Sequence, residues 1–508
     1  MGDLMSKQKT PINPALSYSR DYMIKTYTFP ENFDFKIRDF RIQFKDGFAD
    51  GFLIFFDGLS NQDYINRDIL NALFRRPVNL SLSDSDRTQT LFKQIMTIAP
   101  LTIEWDYETA IDMANFGNCV VFIDGCDGCF VADVKDWNKR GVSEPLQESS
   151  LSGPQEAFNE TILSNVAAIR KILKTSDLIA ENIPVGNTSK TPCALMYLRG
   201  ITNDDLLSEV RRRLQGINTE YIYSSSDIEM LMEKHSLYPM THTLKTERPD
   251  RAAAMLADGK VIVIVQGSPF VLILPTTAAD LIEASEDNYV RAPEANFMRL
   301  VRLFGLSLCL LLPAIFVAIM LYHHEMLPTD LLLAIEASRE KVPFPLVAEL
   351  LLMEFSFELI KEASVRVPSP VGSTLGIIGG LILGQAAVEA NIVSPILIII
   401  VSIGGIGSFA TPSVALSRSL SLLRFVYILF AAAGGFLGLI CGLFINLAYL
   451  SASDSFGVPF LSPIAPHNGD SVLGSLFVKP IWKKEMRPKN LAPKDPQKQP
   501  HISRKWEK

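Results

Sequence analysis

Six cysteines in 508 residues, without disulfide-scaffold spacing, and an N-terminus lacking the apolar core of a secretory signal argue against an exported, disulfide-stapled domain. The sequence also lacks a G-x-x-x-x-G-K-[ST] phosphate loop, a G-x-G-x-x-G turn after a strand, H-E-x-x-H and G-x-S-x-G. No catalytic constellation emerges, so the chain does not read as an enzyme, and no cofactor, metal or nucleic-acid partner is expected. The C-x-x-C of Cys126 and Cys129 stands on an expected hairpin tip with no second pair, which suits turn chemistry better than metal or redox work.

The C-terminal part lacks charge. Leu303 to Leu321, Val367 to Val388, Ala390 to Ser417 and Phe425 to Ser453 hold no charged residue. Each matches or exceeds the roughly 17–25 apolar residues that carry a helix across a hydrocarbon core. The net charge of −7 averages unlike parts, since acids dominate residues 1–298 and bases gather at the membrane flanks.

Residues 1–298 hold a repeat. GFLIFFDGLSNQDYI at 51–65 parallels CALMYLRGITNDDLL at 193–207, and GNCVVFIDG at 117 parallels GKVIVIVQG at 259. Gly58 and Gly200, Asn61 and Asn203, Gly117 and Gly259, and Gly125 and Gly267 are all 142 positions apart. Apolar strands that end in glycine and run into helix-like patterns predict two duplicated α/β subdomains. Helical spacing within Gly153 to Leu173 predicts a helix bridging them.

The expected architecture is an α/β soluble region of two duplicated subdomains followed by an α-helical integral membrane domain of about four spans plus one amphipathic helix. The boundaries read 1–30 as a flexible N-terminus, 31–145 and 176–298 as the subdomains, 146–175 as the bridging helix, 299–453 as the membrane domain and 454–508 as a basic tail. Arginines before the first apolar stretch and lysines after Val478 place both ends in the cytoplasm, which needs an even number of crossings. Spans at about 303–322, 372–390, 393–411 and 425–449 satisfy this, although Arg418 and Arg424 then sit on the outer side, as do Lys361 and Arg366.

Two features suggest a path for ions. In Pro343 to Val367, Glu354, Glu358 and Glu362 recur every fourth residue on one helix face, which should lie in the interface or line a wet cavity. A solvated face opposite a lipid-facing one is the plainer reading. In the next stretch Gly372, Gly376, Gly380 and Gly384 share a face with Ser373 close by, and Gln385 and Glu389 continue near it. Small residues at this spacing favour close helix packing, while in a symmetric oligomer the same face could border a pore. Glu354, Glu358, Glu362, Ser373, Gly376, Gly380, Gly384 and Gln385 are therefore the candidate pore or gate residues.

PFPLVAELLLMEFSFELIKEASVRVPSPVGSTLGIIGGLILGQAAVEANIVSPILIII at 343–400, IGSFATPS at 406–413, SLLRF at 421–425, SFGVPFLSPIAP at 455–466, GPQEAF at 153–158 and residues 246–277 resemble the GerA family, A subunits of nutrient germination receptors of bacterial endospores. PFP at 343–345, Met353-Glu354 and GQAA at 384–387 look like a receptor A subunit rather than the paralogous stage V sporulation protein AF branch. Val414, where an aromatic is common, and Gln266, in place of the aspartate of DGTP, depart from the family pattern. The resemblance implies a transporter-like B subunit and a lipoprotein C subunit as partners in the spore inner membrane, and a homo-oligomeric ring acting as a ligand-gated cation channel. The competing reading is a non-conducting scaffold or transducer. A substrate transporter is weaker, because the spans show no paired inverted repeat.

Overall fold

A computed structural model describes residues 9–44, 47–75, 87–94, 100–136, 145, 147–148, 150, 152–366, 380, 382, 384–467 and 477–499. The chain divides into two compact units, one of residues 1–233, 243–275 and 484–508, the other of 234–242 and 276–483.

The first unit holds two five-stranded antiparallel sheets with one topology. Strands β1 (Phe35–Phe44), β2 (Gly47–Phe56), β3 (Leu101–Glu104), β4 (Cys119–Ile123) and β5 (Cys129–Ala132) lie in the order β1-β2-β4-β5-β3. Strands β6 (Leu178–Val185), β7 (Thr191–Leu198), β8 (Leu244–Thr246), β9 (Val261–Val265) and β10 (Val271–Leu274) repeat it as β6-β7-β9-β10-β8. The paired residues of the sequence repeat do the same work in each half. Gly58 and Gly200 take φ of +88° and +83° after their strands, a region that side chains with a Cβ rarely enter. Asn61 and Asn203 then cap the following helices, each side-chain oxygen accepting from a backbone N–H two residues on.

The apolar runs of β2 and β4 reflect burial on both faces. Phe52, Ile54, Phe56, Val120 and Phe122 pack with Tyr27, Tyr107, Ala110 and Ala114, whereas Leu53, Phe55, Val121 and Ile123 pack with Ile65, Ile69 and Leu73. The alternation is the period of two of a pleated strand. Cys126 and Cys129 are buried members of these clusters, and burial pushes the Cys129 thiol up.

Residues 9–30, expected within a flexible N-terminus, are folded instead. The helix Leu16–Tyr27 buries Met23 and Tyr27 completely, and Ser19 is hydrogen-bonded to the Tyr107 hydroxyl. The bridging helix is shorter than expected, Ile162–Ile172, with residues 152–161 outside it. It turns Arg170 inward. That guanidinium pairs with both oxygens of Asp34, donates to Asn32 Oδ1 at 2.8 Å and to the Leu178 carbonyl at 3.0 Å, and stacks over the Phe56 ring. Asn32 Oδ1 also accepts from the Ala180 N–H at 3.1 Å, so one buried polar joint ties the halves.

The second unit is helical: Ala292–Tyr322, Thr329–Arg339, Leu346–Arg366, Pro395–Phe409 and Val414–Ala452. Asp287 accepts from Arg299 and Arg302, both at 2.8 Å, and so pins the start of the first long helix. Ala292–Tyr322 and Val414–Ala452 are long and apolar enough to cross a membrane, while Pro395–Phe409 is apolar but has 15 residues. The span expected at 372–390 lies largely outside the described residues, with residues 384–389 helical.

The span expected at 425–449 is not one rod. Gly434 and Gly435 leave helical geometry, Gly435 at φ +58° and ψ −138°. The Asn446 amide donates to the Tyr427 hydroxyl, although 19 residues of straight helix would separate them by roughly 28 Å. The chain therefore reverses at Gly434-Gly435 into two helical arms, residues 414–433 and 436–452, about 30 and 25 Å long at 1.5 Å per residue. The tip rests on the end of the first long helix, where the Tyr322 hydroxyl donates to the Ala432 carbonyl at 2.8 Å.

Candidate functional site

The glutamate-bearing helix Leu346–Arg366 turns its carboxylates inward. Leu352, Phe355 and Leu359 are exposed, whereas Glu349 and Glu354 are completely buried. This inverts a soluble amphipathic helix and suits one whose outer face meets lipid or another protein. Glu354 thus occupies neither a solvated face nor a wet cavity within this chain. Its Oε2 lies 2.9 Å from Arg424 Nη2, and Arg424 is likewise fully buried.

Arg424 comes from the first arm of the helical hairpin, and its Nη2 also donates to Glu358 Oε1 at 3.0 Å. Lys361, one turn further along the glutamate helix, lies 4.0 Å from Glu358 Oε2 and donates to Ser417 Oγ at 3.3 Å. Two carboxylates, one guanidinium and one ammonium thus meet between two helices with no net charge. A Cβ added at Gly404 would lie 3.5 Å from Arg424 Nη1, so a third helix, Pro395–Phe409, closes over the cation. Arg424 Nε and Nη1 and Glu354 Oε1 have no hydrogen bond among the described residues. Such a cluster is costly to bury and costlier to break, which makes it a latch between helices.

Glu349 forms a second inward contact, accepting the Ser394 N–H at the start of Pro395–Phe409 and lying 3.5 Å from Arg339 Nε. Small residues make the same helix a close neighbour of the first long one. A Cβ on Gly407 would collide with the Gly305 carbonyl, and one on Gly405 with the Phe357 ring.

The structure brings together Glu354 and Glu358 of the expected residues, while Glu362 is exposed on the same helix. Gly380 and Gln385 are exposed, and an added Cβ on Gly380 meets open space. Gly384 is buried, with Ile398 at ordinary contact distance. Ser373 and Gly376 lie outside the described residues. Arg424, which the expected topology puts on the outer side, is the residue that organises the cluster. A buried arginine beside apolar stretches requires a carboxylate, and Glu354 and Glu358 supply it.

The profile of the family described as Bacillus/Clostridium GerA spore germination protein matches residues 23–490. Spore germination protein KA of Bacillus subtilis is 36% identical over 443 residues, 87% of this chain and 81% of that protein. An uncharacterized membrane protein of the same species, YfkQ, is 33% identical over 96% of this chain and 93% of its own length. Spore germination protein GerLA of Bacillus cereus is 34% identical over 82% of this chain and 84% of its own. The crystal structure of the N-terminal domain of the A subunit of the Bacillus megaterium spore germinant receptor GerK3 aligns with 53% of this chain and 97% of that domain. The identity to that domain is 24% and the TM-score 0.41. With a family match that runs through both compact units and relatives above 30% identity along most of their length, this chain belongs to the GerA spore germination protein family.

Proposed function

We propose that this chain is the A subunit of a nutrient germinant receptor, acting in the spore inner membrane with a transporter-like B subunit and a lipoprotein C subunit. The observation that carries the reading is the family match across residues 23–490, which spans the α/β halves, the glutamate helix and the hairpin together. Copies of the chain assemble into a ring whose helical units gate a cation path, and germinant binding to the complex shifts that ring from closed to open. Such a shift requires different germinant affinity for the two states. Residues 484–499 fold with residues 243–275, which supports an even number of crossings by the segment between them.

Support for the path is local. Gly380 and Gln385 are exposed on a helix that a neighbouring copy or a lumen could face, with Ser373, Gly376 and Gly384 on the same stretch. Glu362 and the partly exposed Glu358 are better placed to meet ions than Glu354, which Arg424 neutralises. Burial of Glu354 favours the second reading, a non-conducting subunit that couples its partners through the latch. The test is germinant-triggered potassium release from vesicles holding the complex. Gly380→Phe and Glu362→Ala abolish or alter release if this chain conducts, and unchanged release with both variants leaves the coupling role.

A further inference from the structure

The sequence repeat shows where the second α/β half is incomplete. In the first half the chain continues past β5, and the Asp136 N–H donates to the Leu59 carbonyl at 3.0 Å. Lys135 covers Gly117, its Cγ 3.4 Å from where a Cβ would stand, and its ammonium lies 4.3 Å from the centre of the Phe116 ring. The positions 142 residues on from Lys135 and Asp136 are Thr277 and Ala278. These have left for the helical unit, where the Ala278 N–H donates to the Phe460 carbonyl at 2.9 Å.

The place they vacate is filled by the end of the chain. Lys494 N–H donates to the Ile201 carbonyl at 2.9 Å, the counterpart of Leu59. Pro493 lies over Gly259, the counterpart of Gly117, and Lys498 pairs at 2.5 Å with Asp258, the counterpart of Phe116. Lys494 Nζ reaches Asp204 at 2.7 Å, Arg487 donates to the Ala257 carbonyl at 2.9 Å, and Leu491 is buried.

We infer that residues 484–499 are a built-in ligand of the second α/β half, seated where the first half uses its own continuing chain. The site takes a basic loop that closes on itself through the Met486–Gln497 bridge, and it offers that loop two carbonyl acceptors, a glycine platform and two carboxylates. Along the chain, this α/β half is therefore interrupted after β10 and completed only at residue 484.

Amide exchange on the full chain in detergent tests the seat. Lys494→Glu with Lys498→Glu should speed exchange across residues 485–499 at least tenfold, and adding Asp204→Lys with Asp258→Lys should restore protection. Unchanged exchange in the first variant, or no restoration in the second, overturns the inference. A protease site inserted between Lys483 and Lys484, cut after folding, gives an independent reading. The released 484–508 fragment should stay bound at low salt and leave on addition of excess synthetic 484–499 peptide; loss on cutting overturns it.

Discussion

Arg424 Nη2 and Glu354 Oε2 stand 2.9 Å apart with neither residue exposed, and Glu358 shares the same nitrogen at 3.0 Å. Removing one partner of such a pair strands a buried charge, whereas removing both can be nearly neutral. Glu354→Gln and Arg424→Met should each lower the stability of the detergent-solubilised chain by about 3–5 kcal/mol. The Glu354→Leu/Arg424→Met pair should recover much of that loss, measured as the midpoint of thermal unfolding.

The hairpin reversal predicts a covalent bond. Tyr427→Cys with Asn446→Cys should be joined by a short bifunctional thiol reagent, because the native side chains span the gap between the two arms in hydrogen-bond contact. Continuous helix from 414 to 452 would hold them roughly 28 Å apart. A peptide map with no cross-linked pair would therefore restore the single straight rod.

Arg170 predicts a joint that lysine cannot replace. Its guanidinium serves Asp34, Asn32 and the Leu178 carbonyl together, which needs a planar fork. Arg170→Ala should cost about 3–5 kcal/mol, with Arg170→Lys recovering only a minor part, in urea unfolding followed by far-ultraviolet circular dichroism. Equal stability of the lysine variant and the parent would remove the fork from the account.

His242 predicts a pH dependence. Burial, with His235 nearby, lowers its imidazole from 6.5 to about 4, so the folded chain keeps it neutral while the unfolded chain binds a proton first. The stability it contributes is complete above pH 6.5 and is lost as pH falls from about 6.5 to about 4. His242→Gln should flatten the unfolding midpoint against pH within that window.

Much of the α/β unit was legible because its signals are local. A strand that must turn through positive φ calls for glycine, and a helix that must start four residues later calls for asparagine at its N-cap; the repeat shows both at Gly58-Asn61 and Gly200-Asn203. The inward glutamates were visible as a spacing but not as a contact, since Arg424 lies 66 and 70 positions from Glu358 and Glu354. Gly434-Gly435 resembles every other small pair in an apolar stretch, so composition gave no warning of the reversal. Residues 9–27 offered little apolar periodicity, yet Tyr27 and Met23 enter the core through partners near Tyr107. The tail read as a basic juxtamembrane flank because its acids, Asp204 and Asp258, are more than two hundred positions away.

The seating of residues 484–499 also sets an order of events during synthesis. Domains fold from the N-terminus as they emerge from the ribosome, and the first α/β half supplies its own cap on Leu59 by Asp136. Its twin does not. Translation must pass through the whole helical segment before Lys494 exists to cap Ile201, so the second half closes last, after the helices have been made. A chain stalled within those helices would display an open acidic seat, which gives cellular quality control a physical mark of an unfinished molecule.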